Sequence, residues 1–473
     1  MRLSNSARFR EQVRFLRRQF LQNGDLPFTD VLSVEIISQA LTAVDVVWKD
    51  RIYTPLVTLW VFLGQVLDAD HTCRAAVARF IAYRVSHGQG ACSAKTGAYC
   101  QARKRLPEEL FSSVARHAGR TLDDNVDSRW LWKGRRVYTF DGSTVTMPDT
   151  TENQAAYPQN VAQRPGLGFP IARIAALFSL SCGAIIDLKM CRYAGKGQSE
   201  LAMLRKMGDV FRSGDVLLGD RLLCAWTEMS LLKQRGVDYV CRLNNANRTA
   251  DFRQGKRLGK GDHIVRWPKA AYSRTLDMKI FKTLPEFLTV RECRIEIKRP
   301  GYRPRSLVVV TTLLDAEKFT KHDLTELYRA RWNAELDLRS LKQTLPMDVL
   351  SCQTPEMVRK EIWTHVLAYN LIRTVMAQAA KKYEIEPRTV SFQGAVQTLN
   401  AFQPAITFCG QRDAELRQHL YNHLLQCIAS HRVGNRPGRW EPRQRKRRPK
   451  PYDRLMKPRH EAKREMLKRV SNN

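Results

Sequence analysis

Acidic residues are scarce in this chain. Against 79 Lys and Arg stand 46 Asp and Glu, so the 473 residues carry a formal charge of +33. That imbalance argues against a self-contained metabolic enzyme and for a polyanionic partner, because Lys and Arg that neutralise phosphates release counterions on binding. The 11 cysteines are scattered singly, with no CxxC pair and no zinc-ligand spacing, which fits reduced thiols in a cytosol-like compartment. Long apolar runs are missing too. The longest, residues 54–67, is too short to span a bilayer and reads as a buried helix. Residues 1–5 lack the apolar core of a signal peptide, so a soluble, cytoplasmic protein with no membrane partner is expected. Hydrophobic residues still make up 43%, enough for a real core and two to four domains.

Residues 1–125 read as helical. Phe9, Val13, Leu16 and Phe20 recur at spacings of three and four with Arg on the other faces, and further helices are expected over 56–67 and 73–84. The basic stretch 93–106 gathers Lys95, Arg103, Lys104 and Arg105 around Tyr99. It is a candidate DNA contact, with solvated arginines as the competing explanation. From 126 to 246 the texture becomes α/β. A short strand over 137–140 ends in Asp141-Gly142-Ser143, a hairpin turns at Ser181-Cys182-Gly183, and a doubly buried strand, 215–220, ends in Gly219-Asp220. Residues 247–305 read as a β-rich insertion, and 306–354 resume the core with a long amphipathic helix from Lys321. Residues 355–430 are helical, and their apolar stretch 362–376 is either a dimer surface or a core helix. The tail, 431–473, holds 16 Lys and Arg against 4 Asp and Glu, which is +12 of the +33, and is expected to be disordered until it meets DNA.

The chemistry concentrates in 328–342. At about 100° per residue, Tyr328, Arg331, Glu335 and Lys342 fall within roughly a 60° arc of a helix, bordering the apolar stripe Leu327, Ala334, Leu338, Leu341 and Leu345. A carboxylate flanked by Tyr, Arg and Lys on one face is poorly explained as solvated surface. Asp141 and Asp220 sit at the ends of separate strands, where side chains converge in open α/β sheets. Two Asp and one Glu are hard oxygen ligands suited to Mg²⁺, and two such ions can activate an attacking oxygen and stabilise a leaving one.

The spacing Tyr328-x2-Arg331-x3-Glu335-x6-Lys342 resembles the YREK signature of the IS-four family of bacterial insertion-sequence transposases. Asp141-Gly142-Ser143 and Gly219-Asp220-Arg221 resemble that family's first and second catalytic aspartates. The resemblance covers about residues 90–375. It implies a ribonuclease-H-like catalytic core with a mixed sheet, a β-rich insertion before the catalytic Glu helix and flanking helical regions. It further implies that Asp141, Asp220 and Glu335 are catalytic and hold two Mg²⁺ ions (Mn²⁺ substituting), and that Tyr328, Arg331 and Lys342 contact DNA phosphates. Trp267 or Trp332 would stack on a flipped base during hairpin formation. The implied activity is Mg-dependent cleavage and strand transfer of double-stranded DNA, at element ends and target, by a homodimer in the synaptic complex, in the bacterial cytoplasm at the nucleoid. A metal-dependent nuclease or resolvase without strand transfer, and a non-catalytic DNA-binding repressor, are the competing classes.

Other features carry less. Asp149 and Asp215 are turn-type competitors of the two aspartates. Residues 255–260 lack the Walker spacing and read as a basic hairpin. His419 and His423 have no HExxH context, and Cys224 has no partner nucleophile or base in sequence.

Overall fold

The computed structural model describes residues 7–22, 26–44, 51–246, 248–273, 276–299, 302–409, 413–434 and 453–471. Nine strands form one mixed sheet: β1 (Val137–Thr146), β2 (Ile171–Ser179), β3 (Ile185–Arg192), β4 (Val216–Gly219), β5 (Asp238–Arg242), β6 (Lys256–Gly259), β7 (Asp262–Pro268), β8 (Phe287–Arg299) and β9 (Tyr302–Thr311), in the order β3-β2-β1-β4-β5-β9-β8-β7-β6. β1, β4 and β5 run parallel, and every other pairing is antiparallel. The first five strands, in the order 3-2-1-4-5 with β2 reversed, form the expected ribonuclease-H-like layer. β4 is four residues, Val-Leu-Leu-Gly, all buried, as a parallel strand covered on both faces must be.

Three expectations about elements are corrected. β1 does not end at Phe140. It continues through Asp141 to Thr146 because β2 pairs with it residue by residue, from Tyr138↔Ser179 to Thr146↔Ile171, so Asp-Gly lies mid-strand and makes no turn. The expected β-rich insertion joins this same sheet. β9 pairs with β5 on one edge and β8 on the other, so β8, β7 and β6 extend the core sheet and the boundary expected at 305 falls inside β9. An unpaired β9 edge would leave backbone donors and acceptors open, and β8 takes them up. Residues 255–260 do belong to a hairpin, β6–β7.

The helix expected from Lys321 comes in three pieces. Lys321–Ala330 starts at a capping box between Thr320 and Asp323, Trp332–Arg339 succeeds it after a junction at Arg331, and a π-turn occupies Ser340–Thr344. The wider turn inserts an extra residue and rotates the chain beyond it relative to an ideal helix.

The stretch 362–376 lies in the 28-residue helix Pro355–Lys382, buried nearly all round from Met357 to Ala380. It packs on helices Glu108–Asp124, Pro55–Leu67 and Ala414–Ser430, so its apolar surface is consumed within the chain and gives no support to a dimer contact there. Asn370 ties three elements: its amide donates to Ala115 O and Ile185 O and accepts from Ile185 N. The N-terminal stripe Phe9, Val13, Leu16 and Phe20 is buried in the same core. Within the tail, residues 435–452 lie outside the described residues, but Arg459–Ser471 is helical. Its Ala, Glu, Lys, Arg, Met and Leu are strong helix formers, which overrides the charge-run reading there. Among the described residues no helix is long and apolar enough to cross a membrane.

Candidate active site

β1 and β4 bring the two aspartates together. Their register runs Val137↔Val216, Tyr138↔Leu217, Thr139↔Leu218. Two residues further along each chain are Asp141 and Asp220, on neighbouring strands that lie about 4.8 Å apart in such a sheet. Asp220 is fixed by its turn: its Oδ1 accepts from Leu222 N at 2.8 Å and Leu223 N at 3.3 Å. Asp141 Oδ1 accepts from Gly142 N at 2.9 Å. Burial pushes the Asp141 carboxyl up to about 6, the Gly142 N–H and Arg331 oppose that rise, and the Glu335 and Glu200 carboxylates add to it.

Helix Trp332–Arg339 packs on β1 and carries Glu335, whose Oε1 accepts from Arg331 Nη2 at 2.8 Å. The π-turn delivers Lys342 to the same strand, its Nζ donating to Ser143 Oγ at 3.1 Å. From behind, Asp337 (1% exposed) accepts from the guanidinium of Arg373 and, at 3.0 Å on each oxygen, from Arg388. This buried ion cluster anchors the short helix to Pro355–Lys382 and sets where Glu335 points. β1, the end of β4, the short helix and its flanking junction and π-turn therefore bring Asp141, Asp220, Glu335, Arg331 and Lys342 near the point where β4 ends beside β1.

The other candidates divide. Tyr328 is not at the surface. At 7% exposure it packs with Val137, Val216, Leu218 and Leu327, and burial pushes its hydroxyl up to about 12. Arg331, Arg242 and Asp220 all act on that hydroxyl, so Tyr328 borders the charged site from the apolar stripe. Trp267 is corrected. It is 3% exposed, its indole N–H donates to Glu292 Oε1 at 2.8 Å, and Arg248 stands 4.6 Å from its ring, so no face is open to an extruded base. Trp332 is 39% exposed, next to Arg331. In helix Gly97–Arg105, Lys104 and Arg105 are exposed, as is Lys95 just before it. Arg103 is turned inward. It is 6% exposed, donates to Gln65 Oε1 at 3.3 Å and Cys73 Sγ at 3.2 Å, and lies over Tyr99 and Phe62. Sharing the buried face with Tyr99, four residues earlier, removes it from the DNA-contact set.

Asp215 and Asp149 behave as turn residues, accepting from Arg212 N at 2.7 Å and Gln154 Nε2 at 2.7 Å. Three residues of the neighbourhood escape a reading of the sequence: Arg173, Asp337 and Glu200. Glu200 comes directly after Ser199, which caps its helix, so it reads as an ordinary first-turn acid. The bare Gly142 was the available signal.

Among the described residues no three His, Cys, Asp or Glu side chains stand close enough together to hold a metal ion as they are placed. Glu335 is paired with Arg331 through one of its two oxygens. The donor set still suits a hard cation. All three groups offer carboxylate oxygens, and Asp141 is desolvated beside like charges, a situation a divalent ion relieves.

The family model described as "Transposase DDE domain" matches residues 132–371. Among curated proteins, the chain is similar to the transposase InsG for insertion sequence element IS4 of Escherichia coli (strain K12), 27% identical over 375 residues that cover 77% of this chain and 79% of that protein. Among solved structures it is similar to the piggyBac transposase in a cryo-EM synaptic complex with hairpin DNA. That match has a TM-score of 0.42 and 10% identity, covering 85% of this chain and 84% of the other.

Proposed function

The chain belongs to the transposase DDE domain family, and from that premise we propose that it is the transposase of an insertion sequence, binding the element's terminal inverted repeats and cutting and rejoining DNA there. The observation that carries the reading is the end of β4 beside the middle of β1, with Asp141 next to Asp220 and Glu335 on the helix packed over β1. In this reading these three carboxylates hold Mg²⁺, or Mn²⁺ in its place, which supplies Lewis-acid activation of the attacking oxygen and charge neutralisation at the leaving one. Arg331, paired with Glu335, and Lys342, beside Ser143, would supply the guanidinium and ammonium that grip DNA phosphates there. Water first opens a strand at the element end, and the 3′-hydroxyl so exposed then attacks the opposite strand or target DNA by the same in-line displacement. Hairpin ends are implied by the family resemblance, and Trp332, 39% exposed next to Arg331, would be the aromatic that stacks on an extruded base. Lys95, Lys104, Arg105 and the basic tail supply further backbone contacts, and pairing two ends requires a dimer on DNA, in the bacterial cytoplasm.

The test uses labelled terminal-repeat DNA with Mg²⁺ or Mn²⁺, for wild type and Glu335→Gln. Joined products are expected from wild type, while E335Q loses cleavage by several orders of magnitude and keeps end binding. Cut but unjoined products would make the protein a nuclease, and binding without cleavage a repressor. Parallel loss of binding and cleavage in E335Q would make Glu335 structural.

A further inference from the structure

Three helices of the N-terminal region, Pro55–Leu67, Cys73–Ser86 and Gly97–Arg105, close around a small core of their own, with Val61, Ala76, Val77, Phe80 and Tyr99 at its centre. The third helix is pinned along its inner side. The Tyr99 hydroxyl donates to Gln65 Oε1 at 2.7 Å, and Arg103 shares that acceptor. The buried Lys360 of the long helix donates to Lys104 O at 3.0 Å, taking up a carbonyl that the helix end leaves open. At about 100° per residue, Ala98, Gln101 and Arg105 fall within roughly 60° on the opposite side, with Gly97 and Lys104 beside them. All five are exposed. Among the described residues, the side chains of Gln101, Lys104 and Arg105 make no hydrogen bond or ion pair with the rest of the chain. A Cβ built on Gly97 would meet nothing within 4 Å, and its φ is one that any residue adopts. Neither backbone nor packing asks for glycine there, so its effect is to leave the front of the helix open to close approach.

We propose that helix Gly97–Arg105 lies in the major groove at the element end and that Gln101 reads an A·T pair there. This rests on the reading of the chain as a transposase that binds its terminal repeats, and deepens it. The groove is about 12 Å wide and admits one helix. Lys95, Lys104 and Arg105 meet phosphates along its rims, which sets the register without reading sequence. Gln101 carries no charge to offer a phosphate, but its amide presents a donor and an acceptor side by side, the complement of adenine N7 and N6. Gly97 and Ala98, with little or no side chain, let the front of the helix come down onto the bases.

The experiment measures binding of the full-length chain, without metal, by fluorescence anisotropy. The duplexes are the terminal repeat, an unrelated sequence, and repeats in which each adenine in turn is replaced by 7-deazaadenine, which lacks the N7 acceptor. Wild type is expected to lose affinity at one such position. Gln101→Ala should bind the repeat about tenfold more weakly, bind the unrelated duplex as wild type does, and keep its salt slope and circular dichroism. It should also be indifferent to the replacement that wild type penalises. Lys104→Ala should instead weaken both duplexes alike and make the slope shallower by about 0.9. Wild-type affinity of Q101A for the repeat, or equal loss on both duplexes, overturns the proposal and leaves terminal-repeat binding intact. A wild-type chain that binds repeat and unrelated duplex equally overturns both.

Discussion

Asp141 is held in the fold against its own ionisation. Burial first, then Glu335 and Glu200, place its pKa near 6 where a free aspartate titrates near 4. A carboxyl whose folded pKa is raised favours the native state when protonated. That contribution is complete below the unfolded pKa and is lost as pH rises through the folded one. Asp141→Asn, neutral at every pH, should therefore gain on wild type in metal-free buffer as pH climbs from about 4 to 7. The expected gain is about 1–3 kcal/mol, the lower end allowing for partial solvent screening. Urea denaturation of both proteins at pH 5 and 7.5 measures it, and a difference that does not grow with pH would mean that the carboxyl is well solvated. The same residue scale marks the limit of a sequence reading. Asp141, Asp220, Glu335 and Lys342 could be singled out as candidates because residue type and spacing mark them. Arg103 and Trp267 were misplaced because an amphipathic side chain looks the same exposed or buried. Partners distant in sequence decide the matter, Gln65 and Cys73 for Arg103, Glu292 for Trp267.

Elements were read well where pattern and pairing agree. The β2–β3 hairpin and the buried strand β4 declared themselves. β1 was cut short because Asp-Gly is a turn signal unless a neighbouring strand pairs with it, and β2 does so through the last nine of its ten residues. The boundary at 305 was drawn inside a strand because nothing in residues 302–311 announces that one strand serves two neighbours. The least visible device is the anchor of the Glu335 helix. Asp337, two residues on, faces Arg373 and Arg388 from the long helix and the loop beyond it. Replacing a buried carboxylate paired with two guanidiniums leaves their charge uncompensated. Asp337→Asn should accordingly cost about 3–5 kcal/mol and loosen the Glu335 helix. Equilibrium unfolding checks the first part, and hydrogen exchange across 332–344 the second. Wild-type stability together with wild-type protection would show that the helix is held by its apolar face alone.

For the whole molecule, charge is the dominant physical fact, and the fold tells where it can be removed. Residues 431–434 belong to the structured body: Ser391 N donates to His431 O, Val433 N donates to Thr389 O, and Val390 bridges to Arg432. Cutting at 431 would therefore disturb helix Phe392–Cys409 along with the tail, whereas ending the chain at Gly434 spares those contacts. The segment removed, 435–473, holds 15 Lys and Arg against 4 Asp and Glu. Each phosphate it neutralises contributes about 0.9 to the slope of log affinity against log salt on duplex DNA. The truncated protein should consequently bind any DNA more weakly at low salt, with a slope shallower by several units, and lose its advantage at the element end least of all. Fluorescence anisotropy from about 50 to 300 mM salt, on terminal-repeat and unrelated duplexes, measures slope and discrimination together. If the two proteins gave parallel lines, the +33 would act through the folded body, and the exposed Lys95, Lys104 and Arg105 would become the first residues to neutralise in its place.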